Sequence, residues 1–181
     1  LARRFALAGH DVIIGSRSAE RAEAAADGLP GTVSGAGNAD AAAKADVVIC
    51  AVPWEGHKEL LQELAPVLAG KVVVDCVNPL GFDKQGAFAL KPDEGSAAEQ
   101  AAALLPDSRV AAAFHHLSAV LLQDPEIDEI DTDVMVLGSH GWSTQHHASV
   151  TSRVLDRARC PVLTFQERPD APTFRLRALE G

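Results

Sequence analysis

Four short stretches of this chain carry side chains that could do chemistry. In Gly15-Ser16-Arg17, with Arg21 one helical turn after Arg17, a small hydroxyl stands beside two cations. Such a set suits a phosphate ester on a ribose, whereas free ribose hydroxyls call for an acidic acceptor at this place. The plain alternative is a helix N-cap followed by solvated arginines. In Ala51-Val52-Pro53-Trp54 the proline ends a strand, because it has no N–H for the ladder, and leaves uncharged backbone against which a flat ligand can lie. Trp54 by itself reads as core or rim packing before it reads as a stacking platform. In Val77-Asn78-Pro79-Leu80-Gly81 the Asn78 amide can hydrogen-bond a carboxamide or a ribose, although an Asn-Pro turn needs the same residues. In Ala113-Phe114-His115-His116 the histidines, adjacent in an extended segment, point to opposite faces. They therefore make a poor metal pair, no cysteine or carboxylate beside them completes a site, and no metal centre is expected. One of them can face a crevice and hydrogen-bond a ring carbonyl; a surface or internally satisfied histidine is the other reading.

Each stretch ends or follows a short, β-branched or aliphatic run, at residues 11–15, 47–52, 72–77 and 110–114, and similar runs recur at 134–138 and 162–165. Helical patterns lie between most of them. Leu1, Phe5 and Ala8 share one face before a Gly9 stop, so the chain opens inside a helix; Ser18 can cap a second helix to about Asp27. Further helices are expected at 38–45, 56–68 and 96–105, with a weaker one at 149–158. Strands alternating with helices predict parallel pairing through right-handed crossovers, and strands apolar on both faces need helices on both sides. The expected fold is α/β, a Rossmann-like three-layer sandwich with a mostly parallel sheet. Its ligand lies beyond the carboxyl ends of the strands, where all four stretches fall. Gly35-Ala36-Gly37-Asn38 does not serve as the phosphate turn, since it lacks a strong preceding strand and a third glycine. That turn and its strand are expected upstream of residue 1, so the first strand of the sheet is missing. From Glu167 the composition turns Pro- and charge-rich and predicts a loose tail.

With 181 residues the chain fits one domain, and with 4% aromatic residues its core must be aliphatic. A net charge of -9 and a pI near 5.1 oppose a nucleic-acid partner, which needs a clustered positive face. No apolar run reaches membrane-spanning length, and the start LARRFALAGH has neither the long apolar stretch nor the cleavage site of a signal peptide, so no membrane partner and a cytoplasmic location are expected. Cys50, Cys76 and Cys160 have no metal or redox spacing and read as buried thiols.

Taken together, LARRFALAGHDVIIGSRSAERA, NADAAAKADVVICAVPW, GKVVVDCVNPLGFDKQG, GSAAEQAAALLPDSRVAAAFHHLSAVLL and EIDTDVMVLG resemble, in collinear order over residues 1–138, the 8-hydroxy-5-deazaflavin:NADPH oxidoreductases. VIIGSR, CVNPLGFD and AAFHH carry most of the specificity. The resemblance implies a domain over 1–138 that binds NADP, with Ser16, Arg17 and Arg21 at the 2'-phosphate and Ala51, Val52 and Pro53 along the cofactor backbone. Asn78 and Pro79 would lie near the nicotinamide and His115 near the deazaflavin. The implied reaction passes hydride between two small-molecule cofactors, NADPH and 8-hydroxy-5-deazaflavin coenzyme. It demands no acid–base pair or nucleophile from the protein. A homodimer goes with this family, and loss of the upstream turn would remove N–H donors from the pyrophosphate. Residues 139–166 instead resemble the closing βαβ segment of universal stress proteins. Gly138, Ser139, His140 and Gly141 match their ATP-binding loop, while Ala148-Ser149-Val150 replaces the Gly-Ser pair. The alternative expectation is therefore a non-enzymatic, ATP-binding protein, with 167–181 as its tail.

Overall fold

The computed structural model describes residues 1–127, 130, 135–139, 162–168 and 171–177. In chain order its elements are α1 (Ala2–Leu7), β1 (Val12–Ser16), α2 (Ala19–Ala26), β2 (Val33–Gly37), α3 (Asn38–Lys44) and β3 (Val47–Cys50). A single 3-10 turn (Trp54–Gly56) then leads into α4 (His57–Leu68) and β4 (Val72–Asp75). There follow β5 (Leu80–Asp83), β6 (Gly86–Ala89), α5 (Ala97–Leu104), β7 (Arg109–Ala112), α6 (Ala119–Gln123), β8 (Met135–Ser139), β9 (Val162–Arg168) and β10 (Ala171–Arg177). No helix among the described residues is long and apolar enough to cross a membrane.

Polar side chains fix the helix ends. The hydroxyls of Ser18, Ser96 and Ser118 accept the N–H groups of Arg21, Glu99 and Leu121, capping α2, α5 and α6. At the other ends Lys71 Nζ donates to the carbonyls of Ala43 and Ala45, and Ser108 Oγ donates to that of Leu68. The Arg4 guanidinium reaches from α1 to the carbonyls of Leu121, Leu122 and Asp124. These contacts satisfy carbonyls left open by the last helical turn and place cations where the helix dipole favours them. Leu61, Leu64 and Leu68 on one face of α4 close over Val73, Val77 and Val110 and meet Ala97, Ala101 and Leu105. As the composition required, this core is aliphatic; each of its leucines and valines contributes about 1.5–3 kcal/mol by leaving water.

β3, β4 and β7 are parallel, with Cys50 opposite Asp75 and Asp75 opposite Ala112. β8 adds to β7 antiparallel, β9 runs parallel to β8 and β10 antiparallel to β9, giving the order β10-β9-β8-β7-β4-β3. β1 and β2 form a separate parallel pair. Among the described residues β1 and β3 each keep one unpaired edge. In a doubly wound sheet the first strand lies between the second and the fourth, so the break falls where the expected upstream strand belongs.

Several expectations need correction. Gly35-Ala36-Gly37 is no phosphate turn, as expected, but it belongs to a strand that the sequence reading did not include, β2: a Cβ at Gly35 would lie 2.1 Å from the Glu23 nitrogen and 2.2 Å from the Ala22 carbonyl carbon. Glycine is there so that the α2 backbone can rest on the strand. The β5–β6 hairpin and α6 were not anticipated. The tail expected from Glu167 instead carries the end of β9 and all of β10, paired from Ala171↔Arg168 to Arg177↔Val162. Its prolines and charges hid an alternation, Pro172, Phe174, Leu176, that suits an antiparallel edge. The helix expected at 149–158, Cys160 and the stress-protein loop beyond Ser139 lie outside the described residues.

Candidate functional site

The carboxyl ends of β3, β4 and β7 are level, and the loops that leave them are laced together. The Cys50 carbonyl accepts both the N–H (3.1 Å) and the thiol (3.0 Å) of Cys76, and the Asp75 carbonyl accepts the Ala113 N–H (3.0 Å). Asn78 Nδ2 donates to the His115 carbonyl at 2.8 Å, so two residues from expected site stretches 37 positions apart meet. Phe114 makes this possible. Its φ of 67° is a left-handed conformation that costs a bulky residue on the order of 1–3 kcal/mol. Its ring packs edge-on against Phe5 of α1, with centroids 6.1 Å apart.

That turn also corrects the expectation for the two histidines. They leave the strand before residue 115, and their rings meet edge to face at 5.7 Å instead of opposing one another. Burial, and then the neighbouring His115, hold the His116 imidazole below its ordinary pKa. Ala51, Pro53 and Asn78 are exposed, and Val52, Pro79 and His115 half-buried, along this rim. Ser16, Arg17 and Arg21 belong to the other sheet: Ser16 Oγ accepts the Ser18 N–H at 3.4 Å, and both arginines are exposed. No hydrogen bond among the described residues joins this group to Asn78 or His115.

One polar cluster escaped the sequence reading. His57, the first residue of α4, is fully buried, with Nε2 at 2.5 Å from Asp75 Oδ2 and Nδ1 at 3.1 Å from Gln100 Oε1. Asp75 Oδ1 accepts the Val77 N–H (2.9 Å), and Gln100 Nε2 donates to Glu94 Oε2 (3.1 Å). Trp54 stacks on the imidazole with centroids 5.5 Å apart and planes at 25°. Burial pulls the His57 pKa down, but the hydrogen bonds to Asp75 and Gln100, with the charges of Asp75 and Glu59, outweigh it and leave the pKa raised. Burial, then the Asp75 charge, push the Cys50 thiol up to about 12 and the Cys76 thiol up to about 11, so both are inert. The signal that could have found the cluster is Asp75 itself, a carboxylate in a valine-rich buried strand, which requires a partner.

Cys50, His57 and Asp75 each offer a ligand atom within 4.8 Å of the others. Their donor set is nevertheless poorly suited to a metal ion. Both ring nitrogens and both carboxylate oxygens already have hydrogen-bond partners, the thiol resists ionisation, and no buried polar side-chain atom among the described residues lacks a partner.

The family described as NADP oxidoreductase, coenzyme F420-dependent, matches residues 1–79. An F420-dependent NADP reductase of Methanothermobacter thermautotrophicus is 38% identical over 165 residues, covering 85% of this chain and 71% of that protein. Its counterpart in Methanothermobacter marburgensis is 40% identical over 153 residues, covering 77% and 67%. The first of these alignments covers more of the chain than residues 1–138 make up, so the likeness continues past the point where the sequence reading ended it. The valine-rich strand at 134–138, common to both resemblances, concealed that. A solved structure from Arthrobacter sp. FB24, described as a candidate F420-dependent NADP reductase, superposes with a TM-score of 0.66 at 23% identity, over 90% of this chain and 77% of that one. A hypothetical protein of Sinorhizobium meliloti gives 0.64 at 26%, over 77% and 67%. The fold is thus Rossmann-like α/β. Nothing among these matches supports the stress-protein reading. The chain belongs to the coenzyme F420-dependent NADP oxidoreductase family.

Proposed function

We propose that the chain binds NADP across the ends of β1, β3, β4 and β7 and serves hydride exchange with the 8-hydroxy-5-deazaflavin coenzyme, F420. The oxidoreductase class follows from the family; what carries the residue assignment is the meeting of Asn78 and His115 on one rim beside the bare strand end at Ala51–Pro53. The residues fit the cofactor chemically. Arg17, just past the end of β1, and Arg21, in the first turn of α2, are exposed cations that suit a doubly negative 2'-phosphate, with the Ser16 hydroxyl as a further donor. Ala51, Val52 and Pro53 present no charge to a dinucleotide backbone. Asn78 spends one N–H on the His115 carbonyl and keeps its carbonyl and second N–H for a carboxamide or ribose. Pro79 stiffens that loop, and His115 stands where the deazaflavin would approach.

The nicotinamide and the deazaflavin supply the two-electron chemistry when bound. The chain's own part is to bind, orient and exclude water, which fits a rim whose Cys76 thiol is held protonated and which, among the described residues, needs no nucleophile. We assign the NADP-binding domain to residues 1–138, with 139–166 as an end segment and 167–181 beyond it. A homodimer in the cytoplasm goes with the reading, and Cys50 and Cys76 as free thiols suit a reducing compartment. The experiment is spectroscopic: NADPH should be consumed as reduced deazaflavin appears, and the reverse. Absence of turnover in both directions, with no NADPH affinity by calorimetry, rejects the proposal.

A further inference from the structure

The buried His57 cluster has a place in the fold that ordinary core packing does not require. His57 immediately follows the loop that leaves β3, and Asp75 immediately precedes the loop that leaves β4. Asp75 also accepts the N–H of Val77, within the second loop. One side-chain contact therefore joins the roots of both loops, with Trp54 of the first stacked on the imidazole.

The hydrogen-bond chain fixes the protons. Gln100 Nε2 is a donor to the Glu94 carboxylate, so Gln100 Oε1 faces His57 Nδ1, which must carry a hydrogen. Nε2 faces a carboxylate oxygen and carries one as well. The ring is then an imidazolium, buried and paired on both sides. We propose that His57, held in this state between Asp75 and Gln100, is a positioning residue that locks the Ala51–Gly56 and Cys76–Pro79 loops into the single arrangement that receives the dinucleotide. This rests on the NADP reading given above.

Loss of the Nε2 proton sets a bare imidazole lone pair against the Asp75 carboxylate, and the two loops part. The groups facing the ring are Cys50 from β3, Asp75 from β4, Gln100 from α5 with Glu94 behind it, and Glu59 on α4 itself. All the acids among them favour the protonated ring, and the raised pKa agrees.

Trp142→Phe leaves Trp54 as the only tryptophan, and a stacked imidazolium quenches indole emission. In that background Trp54 emission should rise with pH through a midpoint above the ordinary histidine value of 6.5. NADPH Kd should rise about tenfold over the same interval. Asp75→Asn keeps every hydrogen bond with a neutral ring: its carbonyl accepts from Val77 and its amide donates to the bare Nε2. It should abolish the transition in affinity and hold Kd within about threefold of the low-pH wild type. His57→Ala should raise Kd about tenfold at every pH with kcat changed far less.

A folded His57→Ala variant with wild-type affinity overturns the proposal. Should that variant not fold, Asp75→Asn decides, and a pH transition in affinity that survives it overturns the proposal equally. If the wild-type chain has no NADPH affinity, the dinucleotide reading falls by itself. The Trp54 titration then scores the lock alone, and emission that does not change with pH disproves it.

Discussion

At the scale of single residues, the proposed site divides into groups that would grip charge and groups that would set geometry. Arg17 and Arg21 are exposed, so their removal should leave the fold intact; if they hold the 2'-phosphate as proposed, it takes away charge-assisted hydrogen bonds of about 1.5–3 kcal/mol each. Arg17→Ala should weaken NADPH about tenfold or more and leave NADH within about twofold, read by parallel calorimetric titrations; equal losses for both would remove Arg17 from the 2'-phosphate. Asn78 acts differently. Its bond to the His115 carbonyl orients the amide, so Asn78→Ala should cost both coenzymes alike, about fivefold to tenfold in Kd. An unchanged Kd for both would take Asn78 out of the site. The sequence singles these residues out because each is an unusual type at a strand end or one helical turn beyond it. It does not single out His57, Asp75 and Gln100, because their meaning lies in contacts 18 and 43 positions apart that no local pattern encodes. The histidine pair was misjudged for a related reason: the period-two rule holds only while the chain stays extended, and Phe114 ends that one residue early.

At the scale of elements, the strongly periodic segments were foreseen and the glycine-rich one was not. Valine-dense β3 and β4 and the Leu61, Leu64, Leu68 face of α4 announce themselves by composition and spacing. β2, reading VSGAG, has almost no side chain to mark it; it is a strand because β1 offers it a parallel ladder and α2 can settle onto its bare backbone. Gly35 is the critical position. Its missing Cβ leaves room for the main chain of Ala22 and Glu23, which cannot yield as a flexible side chain would. Gly35→Ala should therefore destabilise the protein by about 1–3 kcal/mol or more, seen as a lower denaturant midpoint. Gly37→Ala is the internal control, since the closest atom to its added Cβ is a carboxylate oxygen of Asp40 at 4.0 Å. If both variants unfold at the same midpoint, the packing of α2 on β2 does not matter as argued. Because α2 and β1 present Arg21 and Arg17, the same clash should also shift NADPH affinity if the proposed 2'-phosphate site is right.

For the molecule as a whole, stability should depend on pH in a way that the buried groups dictate. A raised His57 pKa means that the folded protein holds a proton which the unfolded chain releases near the ordinary value of 6.5. The contribution is complete below that pH and is lost as pH climbs through the raised folded value, with a slope of at most about 1.4 kcal/mol per pH unit for one proton. Cys50 and Cys76 act with the same sign at higher pH. Their thiols are held protonated up to about 12 and about 11 in the fold, against an ordinary value of 9.0, so their share declines only above pH 9.0. The two processes therefore occupy separate windows. Unfolding free energies from denaturant titrations should fall between pH 6.5 and pH 9.0 in the wild type and stay level there in His57→Gln, which cannot titrate. Above pH 9.0 the two proteins should decline in parallel, and Cys50→Ala should soften that second decline without touching the first. A wild-type curve as level as that of His57→Gln across the lower window would mean that the folded pair holds no proton beyond those of the unfolded chain, and the contact between His57 Nε2 and Asp75 Oδ2 would then lack the hydrogen that the imidazolium requires.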